Sequence, residues 1–348
     1  MTLSAINDSN NKPVDWWFMY KLPENAEAPE NAKEKSEPAS GYEYLYFDSE
    51  TKGDLALSDK TLEDESNALQ QTLRVIYEAQ EDLPPTLGWI CYNDEKPDGT
   101  KDSSTYGHTK GVLAFDLESD TAFWLLHSWP KFPNVETGEL AVPNYGQTYI
   151  CITLQDVETA RYIAEQMYHR QEPQTYQCHL PSDIKEDDIF YRVANAIDVN
   201  ETDPPCDIAF FSKDWHPFRL MAKNRHWNKD FWIDLVGPHL QVDVDVETWR
   251  RGTVPPEEDI DGKDETKDVL HIDLTPLGVN YQWHYTKDHA KWGVSETDDW
   301  VCVADINRMT SQKKRGGGAI CFRNKKLWEC LRKIELLKDP DADKHKKS

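Results

Sequence analysis

His108-Thr109-Lys110 and His289-Ala290-Lys291 are two copies of one short pattern, one in each half of the chain. After the first come Gly111-Val112-Leu113-Ala114-Phe115, the acidic Glu118-Ser119-Asp120-Thr121, and Phe123-Trp124-Leu125-Leu126-His127-Ser128. After the second come Trp292-Gly293-Val294-Ser295, the acidic Glu296-Thr297-Asp298-Asp299, and Trp300-Val301-Cys302-Val303-Ala304-Asp305. Each series reads as strand, tight acidic turn, strand, with the His-x-Lys pair at the head of the first strand. A chain built this way is expected to be an internal duplication with its site at the seam between the halves.

Side chains two apart on an extended strand share a face, so each pair sets an imidazole and an ammonium on one pocket wall. Two such pairs supply what attack on a phosphodiester requires without a metal. The lysines neutralise the non-bridging oxygens, one imidazole attacks phosphorus, and the other, as imidazolium, protonates the departing alkoxide. Neither a metal nor a cofactor is expected.

The chain resembles the deoxyribonuclease II family, acid endonucleases whose catalytic core is similar to phospholipase D. The matching stretches begin with Val14-Asp15-Trp16, Tyr20-Lys21-Leu22-Pro23, Tyr92-Asn93-Asp94 and Gly107-His108-Thr109-Lys110-Gly111-Val112. They continue through Phe123-Trp124-Leu125, His127-Ser128, Phe132-Pro133, Tyr145-Gly146-Gln147-Thr148 and Leu240-Gln241-Val242. Asp288-His289, Lys291-Trp292, Asp305-Ile306-Asn307-Arg308 and Arg315-Gly316-Gly317-Gly318 complete the series, so the likeness covers nearly the whole chain.

The resemblance implies metal-independent cleavage of double-stranded DNA at acidic pH, leaving 3′-phosphate and 5′-hydroxyl ends through a phosphohistidine. His108 matches the nucleophile, His289 the general acid, and Lys110 and Lys291 the phosphate-binding lysines. His127 matches a further required histidine, and Asn307 a polar amide of phospholipase D-like sites. Cys302 and Cys321 match a disulfide-forming pair. The usual motif has an Asp beyond its Lys where this chain has Phe115, with Asp116 next and Glu296 in the second copy, so no orienting carboxylate is assigned. The alternatives are a related phosphodiesterase acting on RNA or phospholipid, and a non-enzymatic protein that binds DNA or another partner.

The expected fold is α/β, phospholipase D-like, with two pseudo-repeated halves, residues 14–155 and 156–337, whose central β-sheets are flanked by outer helices. Segments 24–40, 253–268 and 339–348 are poor in large apolar residues and read as mobile loops or tail. Apolar stripes predict helices around Leu69–Tyr77, Val157–Met167 and Leu327–Ile334. His239–Val246 alternates strictly and predicts a strand; Gly316-Gly317-Gly318 predicts a hairpin turn.

A net charge of -24 opposes binding to a polyanion, so cations must be gathered locally. Lys213, Arg219, Lys313, Lys314 and Arg315 are the substrate-binding candidates, with Lys223, Arg225, Arg250 and Arg251 as further basic positions. The 13 Trp and 15 Tyr supply bulky core and leave room for an interface, so a homodimer clamping the duplex is expected. No run approaches the length of a membrane span, and residues 1–20 show no basic segment followed by an apolar one. Members of the resembled family are lysosomal or secreted; the compartment of this chain stays open.

Overall fold

A computed structural model describes residues 2–29, 37–79, 84–100, 106–138, 140–196, 202–258, 262, 265–338 and 340. Segments 24–40 and 253–268 therefore fall partly, and the tail 339–348 almost wholly, outside the described residues. The architecture is α/β, dominated by two large sheets.

The first sheet uses β1 (Trp16–Lys21), β2 (Tyr44–Asp48), β3 (Leu87–Asn93), β4 (Lys110–Asp116), β5 (Thr121–His127), β6 (Gln147–Leu154) and β7 (Thr175–His179). Their spatial order is β7-β3-β4-β5-β6-β1-β2, extended at the far edge by Ala56–Leu57, and every neighbouring pair is antiparallel. The second sheet uses β8 (Cys206–Phe211), β9 (Pro217–Lys223), β10 (Val244–Thr248), β11 (Thr266–Asp268), β12 (Lys291–Ser295), β13 (Trp300–Ala304) and β14 (Gly317–Arg323). Its order is β8-β9-β14-β13-β12-β10-β11, with only the β10–β11 pair parallel.

One order recurs in both sheets. Read from the strand paired with the Lys-headed strand on its outer side, the first sheet runs β3-β4-β5-β6-β1 and the second β10-β12-β13-β14-β9. The acidic segments make the β4–β5 and β12–β13 turns, with Asp120, Asp298 and Asp299 at positive φ. Asp tolerates that region better than bulkier side chains.

Residues alternate between two apolar layers along each inner strand. Trp16, Phe18 and Tyr20 of β1, Trp124 and Leu126 of β5, and Ile320 and Phe322 of β14 join one cluster between the sheets. Trp17 and Met19 face a second layer beneath α1 (Ala68–Glu78). Met221, Ala319 and Cys321 face a third, covered by residues 231–242.

Three helices add their apolar faces to the cluster between the sheets. Val157, Ala160 and Ile163 of α2 (Val157–Gln166), Phe190 of α3 (Ile189–Ala194), and Leu327 and Leu331 of α5 (Lys325–Ile334) belong to the cluster between the sheets. Asp156 and Asn324 cap α2 and α5, accepting from the amides of Thr159 at 2.7 Å and Leu327 at 2.9 Å.

Two expectations differ from the structure. His239 and Leu240 lie in α4 (Gly237–Leu240), because Pro238 presets a helical φ at its start, and Gln241 closes it at φ 59°. Only Val244 and Val246 of the alternating run lie in a strand, though Leu240 and Val242 are buried as well. Gly316-Gly317-Gly318 leads into β14 and makes no hairpin turn; a 3-10 segment, Thr310–Lys314, makes the link. Cys302 and Cys321, register partners on β13 and β14, are joined by a disulfide.

Candidate active site

Lys110 opens β4 opposite Asn93, and Lys291 opens β12 opposite Thr248, so both pairs sit at equivalent sheet corners. The corners meet. His108, Lys110, His289 and Lys291 line one cleft of about 380 Å³, together with Asn307, Tyr145, Trp249 and Arg251. A larger cavity of about 600 Å³, around Thr153, Lys213 and Trp215, holds none of the four.

Each histidine is held by the other sheet. The His108 amide donates to the Gly316 carbonyl at 2.8 Å, and the His289 amide to the Gly146 carbonyl at 2.9 Å. The support behind them repeats too: Thr148 N donates to Ser128 Oγ at 3.0 Å, and Gly318 N to Asp305 Oδ1 at 2.8 Å.

The side-chain environments of the two histidines differ. His108 Nδ1 lies 2.5 Å from the carbonyl oxygen of Asp305. A carbonyl only accepts, so Nδ1 carries the proton and Nε2 keeps its lone pair. Asp94 Oδ2 lies 3.8 Å from that Nε2, and the Asp94 carboxylate also binds Lys110 Nζ and Arg315 Nη2, the latter at 3.3 Å. Burial would raise the Asp94 pKa, but Lys110, His108 and Arg315 outweigh it and hold the carboxyl below its usual range. Arg315 is anchored further by the carbonyls of Tyr106 at 3.1 Å and Gly107 at 2.8 Å. Burial, then Lys110, drives the His108 pKa well below that of free imidazole.

His289 stacks on Tyr145 with ring centroids 4.2 Å apart and planes 13° apart, and Trp249 covers it at 4.6 Å. Its buried Nε2 has no hydrogen-bond partner among the described residues. Burial, then Lys291 and Lys110, pushes its pKa down to about 3. Lys291 Nζ donates to the His289 carbonyl at 2.7 Å, and burial with Lys110 lowers its own pKa to about 7. Asp288 braces this corner by accepting from Tyr20 Oη, from Trp283 Nε1 at 2.7 Å and from the Ala290 amide at 2.8 Å. Asp305 is fully buried, and burial pushes its carboxyl up to about 7.

Asn307 lines the cleft with its buried Oδ1 unpartnered among the described residues. His127 lies on β5 without lining the cleft; its Nδ1 accepts from the Trp129 amide at 3.2 Å, and burial, then Lys110, keeps it neutral. The expected cations divide. Arg315 reaches the site, whereas Lys213 lines the larger cavity and Arg219 is committed to Asp207. Lys313 and Lys314 end the 3-10 segment leading to Arg315, and neither lines the cleft.

Asp94, Tyr145 and Trp249 were not picked out as site residues from the sequence. Asp94 and Tyr145 stand inside stretches that carried the resemblance, which was the signal available for them; Trp249 had none.

The sequence profile of the deoxyribonuclease II family matches residues 6–337. A protein of Burkholderia pseudomallei (strain 1710b), provisionally named deoxyribonuclease-2, is 44% identical over 344 residues, spanning 98% of this chain and 94% of that protein. Deoxyribonuclease-2 of Caenorhabditis elegans is 33% identical over 357 residues, spanning 93% and 91% respectively. Deoxyribonuclease-2-alpha of Sus scrofa is 29% identical over 348 residues, spanning 97% and 91%.

Proposed function

This chain belongs to the deoxyribonuclease II family and is a nuclease, a hydrolase acting on DNA; from there we propose that it is a metal-independent acid endodeoxyribonuclease working through a phosphohistidine. The observation that carries the reading is the contact of His108 Nδ1 with the Asp305 carbonyl. With Nδ1–H directed at the Asp305 carbonyl, Nε2 enters the cleft as a neutral nucleophile beside two lysines.

In the first step the His108 Nε2–P bond forms and the P–O5′ bond breaks, while His289 gives its proton to O5′. Lys110 and Lys291 neutralise the non-bridging oxygens, and Asn307 supplies an amide to the same group. Water then attacks phosphorus, His289 takes its proton, and His108 leaves. The products carry a 3′-phosphate and a 5′-hydroxyl.

In the free site burial, then Lys291 and Lys110, hold the His289 pKa down to about 3. A bound phosphodiester brings an anion beside the ring and raises that value, so substrate itself loads the acid.

The recurring strand order and paired corners support a phospholipase D-like duplication, with halves 14–155 and 156–337 sharing one site. His127 supports the Lys110 corner from within β5. One site cleaves one strand at a time, so we further propose a homodimer on duplex DNA; light scattering showing a monomer at working concentration would remove that element. Among the described residues no helix is long and apolar enough to cross a membrane.

The deciding experiment is nicking of supercoiled plasmid at pH 5 in EDTA, followed by end analysis. The expected 5′ ends accept phosphate from a kinase without prior phosphatase treatment. A requirement for magnesium, or 5′-phosphate ends, would overturn the reading.

A further inference from the structure

Six large apolar side chains are exposed among the described residues: Leu57, Tyr145, Tyr162, Phe211, Trp215 and Leu337. Tyr145, at 42% exposure, is the one that lines the cleft. One of its faces stacks on His289, and the residue keeps a substantial surface open to solvent.

The backbone that carries the ring is also held in place. The Tyr145 carbonyl accepts from Lys21 Nζ at 2.9 Å. The next residue, Gly146, donates to the Lys287 carbonyl at 3.0 Å and accepts from the His289 amide at 2.9 Å. A preset aromatic face loses little conformational freedom when a planar group stacks on it. Arg251, exposed on the cleft wall beyond Trp249, adds a cation next to the aromatic pair.

We infer that Tyr145 forms a base-stacking subsite for an unpaired nucleobase next to the scissile phosphate, making a locally unstacked strand the form of DNA this cleft takes. The chemistry selects the ligand class. A planar π-system tethered to an anion fits a rigid phenol ring beside two phosphate-binding lysines, and every base offers such a face whatever the sequence. A paired base within a duplex has both faces occupied by its neighbours, so it must leave the stack to reach Tyr145. Resting on the assignment of His289 as the leaving-group acid, the inference places Tyr145 on the leaving side. The stacked base then belongs to the nucleotide whose O5′ departs.

The test uses the intact protein and single-stranded oligonucleotides that carry one phosphodiester among methylphosphonate linkages. Three versions are compared: all bases present, an abasic residue on the leaving side, and an abasic residue on the opposite side. The leaving-side abasic version is expected to lose about tenfold in kcat/KM, mainly through KM, equivalent to about 1.4 kcal/mol. The opposite-side version should change less than about twofold on the same scale. Tyr145→Phe should keep this discrimination and Tyr145→Ala should erase it, whatever either does to the overall rate through contact with His289.

Equal rates for all three versions, with plasmid still nicked in EDTA, would show that Tyr145 only packs against His289 and would overturn the inference alone. A penalty confined to the opposite side would overturn the leaving-side placement. Failure of plasmid nicking itself would remove the functional reading, and the subsite with it.

Discussion

The carbonyl oxygen of Gly316 receives the peptide amide of His108 at 2.8 Å across the seam between the sheets. That contact fixes where the imidazole starts, and it requires a glycine. A Cβ on residue 316 would stand 2.5 Å from the Gln171 carbonyl and 2.7 Å from Glu172 Oε2. The mirror position is equally tight, since a Cβ on Gly146 would stand 2.3 Å from Asp288 Oδ1.

Gly316→Ala should therefore displace His108. Overpacking of this kind costs about 1–3 kcal/mol, and a catalytic group misplaced by about 1 Å loses on the order of 100-fold in rate. Thermal unfolding and single-turnover rates measure the two separately. Unchanged kcat in Gly316→Ala would show that the cross-sheet contact does not position the nucleophile.

The two histidines should fail in different ways. A brief acid reaction quenched in denaturant is expected to trap an acid-labile phosphoramidate on His108. His108→Ala should abolish the adduct, and His289→Ala should slow expulsion of O5′ in forming it. Peptide mapping that places the adduct on His289 would reverse the roles; no adduct in a single turnover would point to direct attack by water.

Asp94 is a hub of charge, and its removal should be costly. Its carboxylate neutralises Lys110 and Arg315 at a site where it is only 11% exposed. Asp94→Ala leaves both cations without it, and breaking a buried ion pair from one side typically costs about 3–5 kcal/mol. Asp94→Asn keeps a hydrogen-bond acceptor and should lose less stability, yet still lose activity because Lys110 is free to move. Denaturant melts of the two variants check this, and equal stability in both would show that the lost charge alone, and not the retained acceptor, matters there.

The sequence disclosed the parts of this site that are local in the chain. His-x-Lys at a strand head followed by an acidic turn is a short-range pattern, and Asp120, Asp298 and Asp299 at positive φ show why acidic residues stand at those turns. The helix stripes around α1, α2 and α5 were legible for the same reason. Contacts set by sheet register were not. Trp249 meets His289 because Thr248 pairs with Lys291, and Asp94 meets Lys110 because Asn93 does. No spacing along the chain encodes those pairings. The run His239–Val246 misled because alternation reports burial on one side, which a short helix ahead of a strand also satisfies. Its Gly237-Pro238 start was the local signal that outweighed periodicity.

The pH dependence follows from Lys291. Burial, then Lys110, lowers its pKa to about 7, so it is an ammonium below about pH 7 and neutral above. The cleft thus loses one of its two phosphate-binding cations as pH rises through 7, and the fall of kcat/KM should steepen there by about one further tenfold per unit, the contribution of one added titrating proton. His289 acts in the same direction, since lower pH increases the fraction of imidazolium available to protonate O5′. His108, with its pKa driven down by burial and Lys110, stays a neutral nucleophile well into the acid range, and activity declines again only where it protonates. The expected profile in EDTA is a bell with its maximum on the acid side of neutrality. Lys291→Arg separates Lys291 from the other groups: a guanidinium keeps its charge far above pH 7, so the variant should lose absolute rate from altered geometry while the added steepness above pH 7 disappears. A steepening near pH 7 that persists in Lys291→Arg would assign that titration to another group, and an optimum above pH 8 in the unaltered protein would end the proposed roles of both Lys291 and His289.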